Sequence, residues 1–518
     1  MTDNAMMPAI DTTYYDLLLA TAGQSREIDR LTIEKLGIPG ETLMEIAGNR
    51  AADLLLEKVK PGHSVLFVCG KGNNAGDAFV VARLFMDRGV NVTLYPVLGT
   101  DGFSEDARKN FDRLMKLAEM SGRDLPIWDR WKEPATFDLV IDGIFGTGID
   151  KEVRQPVSDV IHNMNRAGIA VCSLDIPSGI HCDTGRTLGT AVRASSTIQF
   201  GTKKLGCYIG DGSDFSGKRY LATLPFPDHY KNEIKIRLTS MDRNAAEAHL
   251  HTAPSRTRHK FNNGVVHVIG GSPGLTGAAV YTARSAWTLG LGAVTLTHPA
   301  GWQTAMNIHA SSIIKRPTGS ETSHYFTTEH TKEVLDFLKE KPGVTVIGPG
   351  IGRKDATLSF CRDIILKSEG PLIIDADALR SLIDAGDMLK ERCKKGPVIL
   401  TPHPGELAAL TNIGSGDDFD RLQAAATISQ STGATVLAKG NPSFIHSAAE
   451  ETTLVTPYDT TLFARAGFGD ILAGNLAAFM SRTGRAVPGC EAALVYGYHK
   501  WTDLASCGKT FPEPSDFT

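Results

Sequence analysis

A chain of 518 residues with 42% hydrophobic and 22% charged side chains is too long for one core, and its composition is that of about two globular domains of roughly 200–280 residues each rather than a disordered or fibrous protein. The net charge of -4, from 54 Lys plus Arg against 58 Asp plus Glu, offers no basic field for nucleic acid, and the eight scattered cysteines contain no C-x-x-C pair for zinc or a redox dithiol. No apolar run reaches the roughly 18 residues that span a bilayer and residues 1–21 lack the order of a secretion signal, so a cytoplasmic protein with reduced thiols and no membrane or nucleic-acid partner is expected.

In chain order, two helical stretches at residues 25–36 and 42–56 precede the strand SVLFVCG. Then come a helix at 78–88, NVTLYPV, a helix at 105–120, FDLVIDG, a helix at 157–166, AVCSLDI, and two further strands, STIQF and KRYLATL. This alternation predicts a mostly parallel sheet covered by helices on both faces, with ligands at the carboxyl ends of the strands. The first domain is expected over 1–227. Residues 228–257, polar and without a strong period, read as a connecting region, and the second domain is expected over 258–518. There a second alternation runs through GVVHVIGG, a helix at 277–289, AVTLTHP, VTVIGPG, PLIIDAD, PVILTPHP and ATVLAKG. Its strands end in Gly, Pro, Asp or His, and glycine there lets phosphate approach the main chain. The halves share no evident repeat.

After SVLFVCG, the run Lys71-Gly72-Asn73-Asn74-Ala75-Gly76-Asp77 leads into a helix and offers main-chain N–H groups as a phosphate cradle. It equally suits a tight turn that uses Asn and Gly for positive φ. Asp142 with Gly146-Thr147-Gly148, and Asp175 with Pro177-Ser178, close two further strands on the same rim, so independent polar clusters converge. The segments LMEIAG, GKGNNAGDAFVVAR, DGIFGTGID, DIPSG and FGTKKLGCYIGDG, in this order, resemble the NAD(P)H-hydrate epimerase family, the YjeF N-terminal domain, with a Rossmann-like three-layer fold. The resemblance implies a potassium ion held by the oxygens of Asn74, Asp142 and Ser178. It implies substrate contacts from Asn73, Asn74, Ala75, Gly76 and Asp77 and from Gly146, Thr147, Gly148, Ile149, Asp150, Lys151 and Glu152, with Asp175 handling the proton beside the nicotinamide ring. Ala75 and Ala78 replace glycines usual in that family and Ile46 a polar residue, and added methyl groups are expected to narrow the cradle.

In the second half, Arg465-Ala466-Gly467-Phe468-Gly469-Asp470 opens a helix expected over 471–481. Such a turn can hold a transferring phosphoryl group while Asp470 takes a proton from a hydroxyl; as a lone motif it also reads as an Asp cap. Together with Lys439-Gly440-Asn441-Pro442-Ser443 at the end of ATVLAKG it resembles the ribokinase-like superfamily. Within that superfamily GGSPGLTGAAV, VIGPGIG, IIDADAL and LTPHPGE are similar to the NAD(P)H-hydrate dehydratase family, the YjeF C-terminal domain. The resemblance implies ADP or ATP at Lys439, Gly440, Asn441, Pro442, Ser443 and Gly469. It places hydrated nucleotide at Ala278, Gly350, Gly352, His403 and Asp470, with Asp377 and Glu406 positioning water or Mg2+. His403 also reads as a loop histidine capping a strand end. Asp375 reads as structural, because neighbours on a strand face opposite sides. Ser443 and Pro442 depart from the family, and Pro442 removes one N–H from the phosphate loop.

Both resemblances together imply repair of NADHX and NADPHX, the hydrated dinucleotides, by a homo-oligomer: R and S forms are interconverted in the first half, and the S form is dehydrated with ADP or ATP in the second. The alternative is a small-alcohol or vitamin kinase with a non-catalytic first half.

Overall fold

Strand β1 (Ser64–Cys69) sends alternate side chains into two separate cores, which is what a sheet covered on both faces requires. Val65, Phe67 and Cys69 join a cluster with α2 (Gly40–Leu56), α3 (Asn73–Asp87) and α4 (Glu105–Ser121). Leu66 and Val68 join another with α5 (Val157–Arg166). The remaining strands are β2 (Asn91–Pro96), β3 (Leu139–Gly143), β4 (Val171–Leu174), β5 (Ser196–Phe200) and β6 (Lys218–Ala222), ordered β2-β1-β3-β4-β5-β6 and all parallel. The computed structural model describes every residue except 1–13, 133–135, 251–262, 412 and 414–415. The secretion-signal expectation rests largely on the first of these segments, and the expected start of the second domain at residue 258 falls in another; both lie outside the described residues.

Helix α1 (Ala22–Glu34) begins at a capping box: Thr21 Oγ1 accepts the Gln24 N–H and the Gln24 side chain accepts the Thr21 N–H. Just before it, Leu19–Ala20 pairs in parallel with Lys203–Lys204, so the start of α1 is tied to the segment after β5. Helix α3 begins at Asn73, five residues before the expected 78, which makes the presumed glycine-rich cradle the first turn of a helix.

The second unit carries β7 (Val265–Ile269), β8 (Ala293–Pro299), β9 (Ile314–Thr318), β10 (Val344–Ile347), β11 (Leu372–Ile374), β12 (Val398–Leu400), β13 (Thr435–Ala438), β14 (Phe444–Ser447) and β15 (Thr452–Val455) in the order β9-β8-β7-β10-β11-β12-β13-β14-β15. It is parallel as far as β13, and β14 and β15 close it as antiparallel hairpins. Val266 and Val268 pack into a core with the helices Thr276–Thr288, Phe468–Thr483 and Ala486–Ser506, while His267, on the opposite face, sets its ring 5.0 Å from Phe337. The α/β architecture expected for both halves is therefore present.

The chain divides at 238/239, and the described part of residues 228–257 is not a free connector. Ile236–Leu238 is a strand, and Arg243–Ala248 is a helix whose Ala246 is fully buried in the second core. The polar composition misled because one small buried residue suffices to dock a two-turn helix. All eight cysteines are free thiols.

Candidate active sites

In the first unit the ends of β1, β3, β4 and β5 open into a cavity of about 720 Å3. Asp142, at the end of β3, is fully buried. Its Oδ1 accepts Ser178 Oγ at 2.6 Å and the Ile144 N–H at 3.2 Å; its Oδ2 accepts Ser173 Oγ at 2.7 Å and the Ser178 N–H at 2.9 Å. Burial pushes this carboxyl up, and those four bonds offset part of the shift. Asn74, 6% exposed, donates through Nδ2 to the Phe145 carbonyl at 2.9 Å, and the Phe145 N–H donates to Ser178 Oγ at 2.9 Å. The sequence-predicted oxygen set of Asn74, Asp142 and Ser178 is thus gathered in one network. Asn74 Oδ1 is buried without a hydrogen-bond donor, an unmet acceptor of the kind a cation satisfies.

Asp175 follows β4 with φ 67°, a left-handed conformation that turns the chain sharply at the strand end. It pairs with Lys204 Nζ at 2.7 Å, and its Oδ1 also accepts the Phe200 N–H at 3.3 Å. A methyl at Gly146 would stand 3.4 Å from Asp175 Oδ2 and 3.6 Å from Asn74 Cβ, so this glycine leaves the space between the two predicted groups open.

Of the residues expected to touch substrate, Asn73, Asn74, Asp77, the run 146–151 and Asp175 line the cavity. Ala75, Gly76 and Glu152 do not. Ala75 is fully buried in the helix-packing core, Gly76 packs against Met44 and Ala107, and Glu152 is exposed. Nor do the extra methyls narrow the cradle: Ala78 is fully buried against Gly143, so both alanines point into the core. Sequence reasoning assigned no role to Lys204 or Asp29, which also face the cavity. The paired lysines just after STIQF were the available signal.

In the second unit a cavity of about 570 Å3 is walled by Lys439, Gly440, Asn441, Ser443, His403, Glu406, Gly469 and Asp470. The helix Phe468–Thr483 starts three residues before the expected 471, so Asp470 belongs to its first turn. Gly467 caps it at φ 95°, and a methyl there would meet Pro514 at 2.8 Å. Residues near the C-terminus buttress this turn: Arg465 donates to the Pro512 carbonyl at 3.0 Å, and Phe517 packs edge-on against Phe468 at 5.3 Å.

Lys439 Nζ pairs with Asp375 Oδ1 at 2.8 Å, and Thr401 Oγ1 donates to the same oxygen at 2.7 Å. Burial would lower the Lys439 ammonium, but the carboxylates of Asp375, Glu406 and Asp470 outweigh it and the net shift is upward. Burial, with Asp375 adding and Lys439 opposing, pushes the Asp470 carboxyl up to about 7. Asp375 faces the cavity; β11 ends at Ile374, so strand alternation does not decide its direction.

Arg421 staples the 439–442 loop, donating to the carbonyls of Lys439 at 2.9 Å and Pro442 at 2.7 Å. Gly440, at φ 154°, is required there because a methyl would fall 1.5 Å from Arg421 Nη1. Pro442 is buried outside the cavity wall, its carbonyl committed to Arg421, whereas Ser443 lines the cavity and closes the loop by donating to the Gly440 carbonyl at 2.9 Å.

Ala278, Gly350 and Gly352 are not in this wall; they gather beside Leu275 and Ser272, a methyl at Gly350 lying 3.2 Å from Ala278 Cβ. Asp377 is likewise elsewhere, bound to Arg353 Nε at 2.6 Å. His403 lines the cavity, and its Nδ1 accepts the Gly405 N–H at 3.0 Å in the first turn of the helix Pro404–Thr411, so it caps a helix rather than a strand end.

Residues 40–206 match the family described as YjeF-related protein N-terminus, and residues 266–498 match NAD(P)H-hydrate dehydratase. The chain is 30% identical to the bifunctional NAD(P)H-hydrate repair enzyme Nnr of Salinibacter ruber, covering 92% of this chain and 90% of that one. It is 31% identical to the enzyme of that name from Moorella thermoacetica, with 92% and 90% covered. A solved ADP/ATP-dependent NAD(P)H-hydrate dehydratase from Bacillus subtilis aligns with 51% of this chain and 88% of its own, at 20% identity and a TM-score of 0.41.

Proposed function

The chain belongs to the family of bifunctional NAD(P)H-hydrate repair enzymes, and on that premise we propose how its residues divide the work. It is an isomerase and a lyase: it interconverts R- and S-NAD(P)HX and dehydrates the S form to NAD(P)H. We assign epimerisation to residues 1–227 and nucleotide-driven dehydration to residues 258–518.

The observation that carries the dehydratase assignment is Asp470 in the first turn of a helix, sharing a cavity with Lys439. Water added across the ring leaves a hydroxyl on C6, and hydroxide is a poor leaving group. Asp470 takes the hydroxyl proton, the oxygen attacks the terminal phosphorus of ADP or ATP and breaks its bridging P–O bond to expel AMP or ADP, and the C6–O bond then breaks with phosphate as leaving group. The N1 lone pair assists, and loss of a C5 proton restores the C5–C6 double bond. Lys439, the N–H groups at Gly469 and the 439–443 loop are positioned to take the phosphate charge. Ala278, Gly350, Gly352 and His403 are assigned to the dinucleotide.

In the first unit Asp175 is the proton-handling residue, and Asn74, Asp142 and Ser178 are the ligands of a potassium ion. The donor-less Asn74 Oδ1 and an all-oxygen set fit a hard monovalent cation, which would fix the loop carrying Gly146. Among the described residues no group of three or more His, Cys, Asp or Glu could hold a metal, so Mg2+ fits as an ion carried on the nucleotide phosphates. None of the described helices is long and apolar enough to cross a membrane, and a cytoplasmic homo-oligomer completes the proposal.

The test is a mixture of R- and S-NADHX incubated with and without ADP. Full return of the NADH near-ultraviolet absorbance with ADP, and equilibration of the two forms without it, is expected. Accumulation of a stable phosphorylated alcohol would establish the kinase alternative.

A further inference from the structure

We propose that Asp29 is a second catalytic carboxyl of the epimerase cavity, acting with Asp175 on the C6 hydroxyl of the hydrated ring. The inference rests on the assignment of Asp175 above. Pairing of Ala20 with Lys204 fixes the start of α1 against the segment after β5, and Ser25 Oγ lies 3.2 Å from Thr202 Oγ1. Asp29, one turn after Ser25 on the same helix face, is thereby directed into the cavity that Asp77, Asp175 and Lys204 also line. An ammonium has three protons, and Lys204 places Nζ against Asp175 Oδ1 at 2.7 Å, the Phe200 carbonyl at 2.5 Å and the Thr202 carbonyl at 3.0 Å. None is left for Asp29. The same cavity holds Asn74, whose buried Oδ1 also lacks a donor, so its wall presents acceptors that the protein does not satisfy.

Inversion at C6 needs one proton given and one taken. The N1 lone pair expels the hydroxyl as water when an acid protonates it, breaking C6–O and leaving a C6=N1 cation. Water then adds to the other face and loses its proton to a base. In the reverse direction the two groups exchange roles, so each takes up and returns a proton over the cycle. Asp29 is exposed to the cavity, and the protein mass around it pushes its carboxyl up to about 6, with Lys204 opposing and Asp175 adding. Asp77 differs. Burial, with Asp175 and Asp29 adding and Lys204 opposing, pushes it well above its ordinary value, and it lies on α3 rather than on the helix tied to Lys204.

The test uses the full-length protein and pure R-NADHX without nucleotide, following formation of the S form by chromatography. In Asp29→Asn, kcat for epimerisation is expected to fall at least about 100-fold while KM stays within about threefold. Asp29→Glu restores part of the rate, and S-form dehydration with ADP is unchanged. The sign of the stability effect separates catalysis from structure. A carboxyl whose folded pKa is raised to about 6 from about 3.9 destabilises the fold once ionised, so Asn should leave the melting temperature at pH 8 unchanged or higher. Wild-type kcat in Asp29→Asn overturns the inference, as does a slow variant with a lowered melting temperature that Glu does not rescue. If Asp175→Ala is slow while Asp29→Asn is normal, only this inference falls. If the wild type interconverts the forms no faster than buffer, the epimerase assignment itself falls.

Discussion

Both cavities set a lysine against an aspartate at the ends of parallel strands, yet the two pairs do opposite things. In the first unit Lys204 binds Asp175, the residue assigned to the chemistry, directly at 2.7 Å. In the second, Lys439 binds Asp375 at 2.8 Å, leaving Asp470 outside the pair with its pKa pushed up to about 7. One lysine compensates the carboxylate assigned to the chemistry; the other is held by a supporting carboxylate so that its charge remains near the proposed phosphate site. The lesson is that an Asp–Lys contact in a cavity does not by itself identify the base, and what each partner's remaining hydrogen bonds do decides it.

The sharpest way to break the comparison is Asp470→Asn, which keeps the shape and removes the base. Dehydration should fall by about 10²–10⁴-fold with nucleotide binding and epimerisation retained, as read by NADH absorbance and calorimetry. Retained dehydration would make Asp470 only a helix cap. Lys204→Met should cost about 2–3 kcal/mol in denaturant unfolding of the first unit, because it leaves the half-buried Asp175 uncompensated. The corresponding Lys439→Met should cost more, since the carboxylate it strands, Asp375, is 2% exposed against 14% for Asp175. Equal costs would erase the distinction between the pairs.

The pH dependence sharpens it further. A general base works only when ionised, so with a pKa of about 7 the single-turnover dehydration rate at pH 6 should be about one tenth of its alkaline plateau. A flat profile from pH 6 to 9 would place the catalytic proton elsewhere. The smallest effect concerns the departure from the family loop. Because Ala75 lies in the core, Ala75→Gly should leave the epimerisation rate unchanged and destabilise by about 0.5–1 kcal/mol. A faster enzyme would show that the methyl does reach the substrate.

Much of the fold was legible because its strands are short apolar runs ended by Gly, Asp or Pro, and a buried parallel strand needs little else. The expected starts of α3 and of the helix carrying Asp470 came late for one reason: Asn, Gly and Asp favour turns as single residues but occupy first helical turns when a strand end delivers them there. β9, an edge strand with Pro317, and the β14–β15 hairpins passed unnoticed, since an edge strand and strands of only four residues carry weak apolar patterns.

At the sites, the sequence by itself singled out residues that lie within motifs and that the structure brings together: Asn74, Asp142, Ser178 and Asp175 on one side, Lys439, Gly469 and Asp470 on the other. Only the tertiary structure decided which charges meet. Asp29 and Lys204 are 175 positions apart and face one cavity because a two-residue ladder ties the start of α1 to the segment after β5; Asp375 and Lys439 are brought together from the ends of β11 and β13; Arg421 reaches the 439–442 loop from a separate helix. Coulomb energy and burial depend on distance through space, and no spacing along the chain carries that distance.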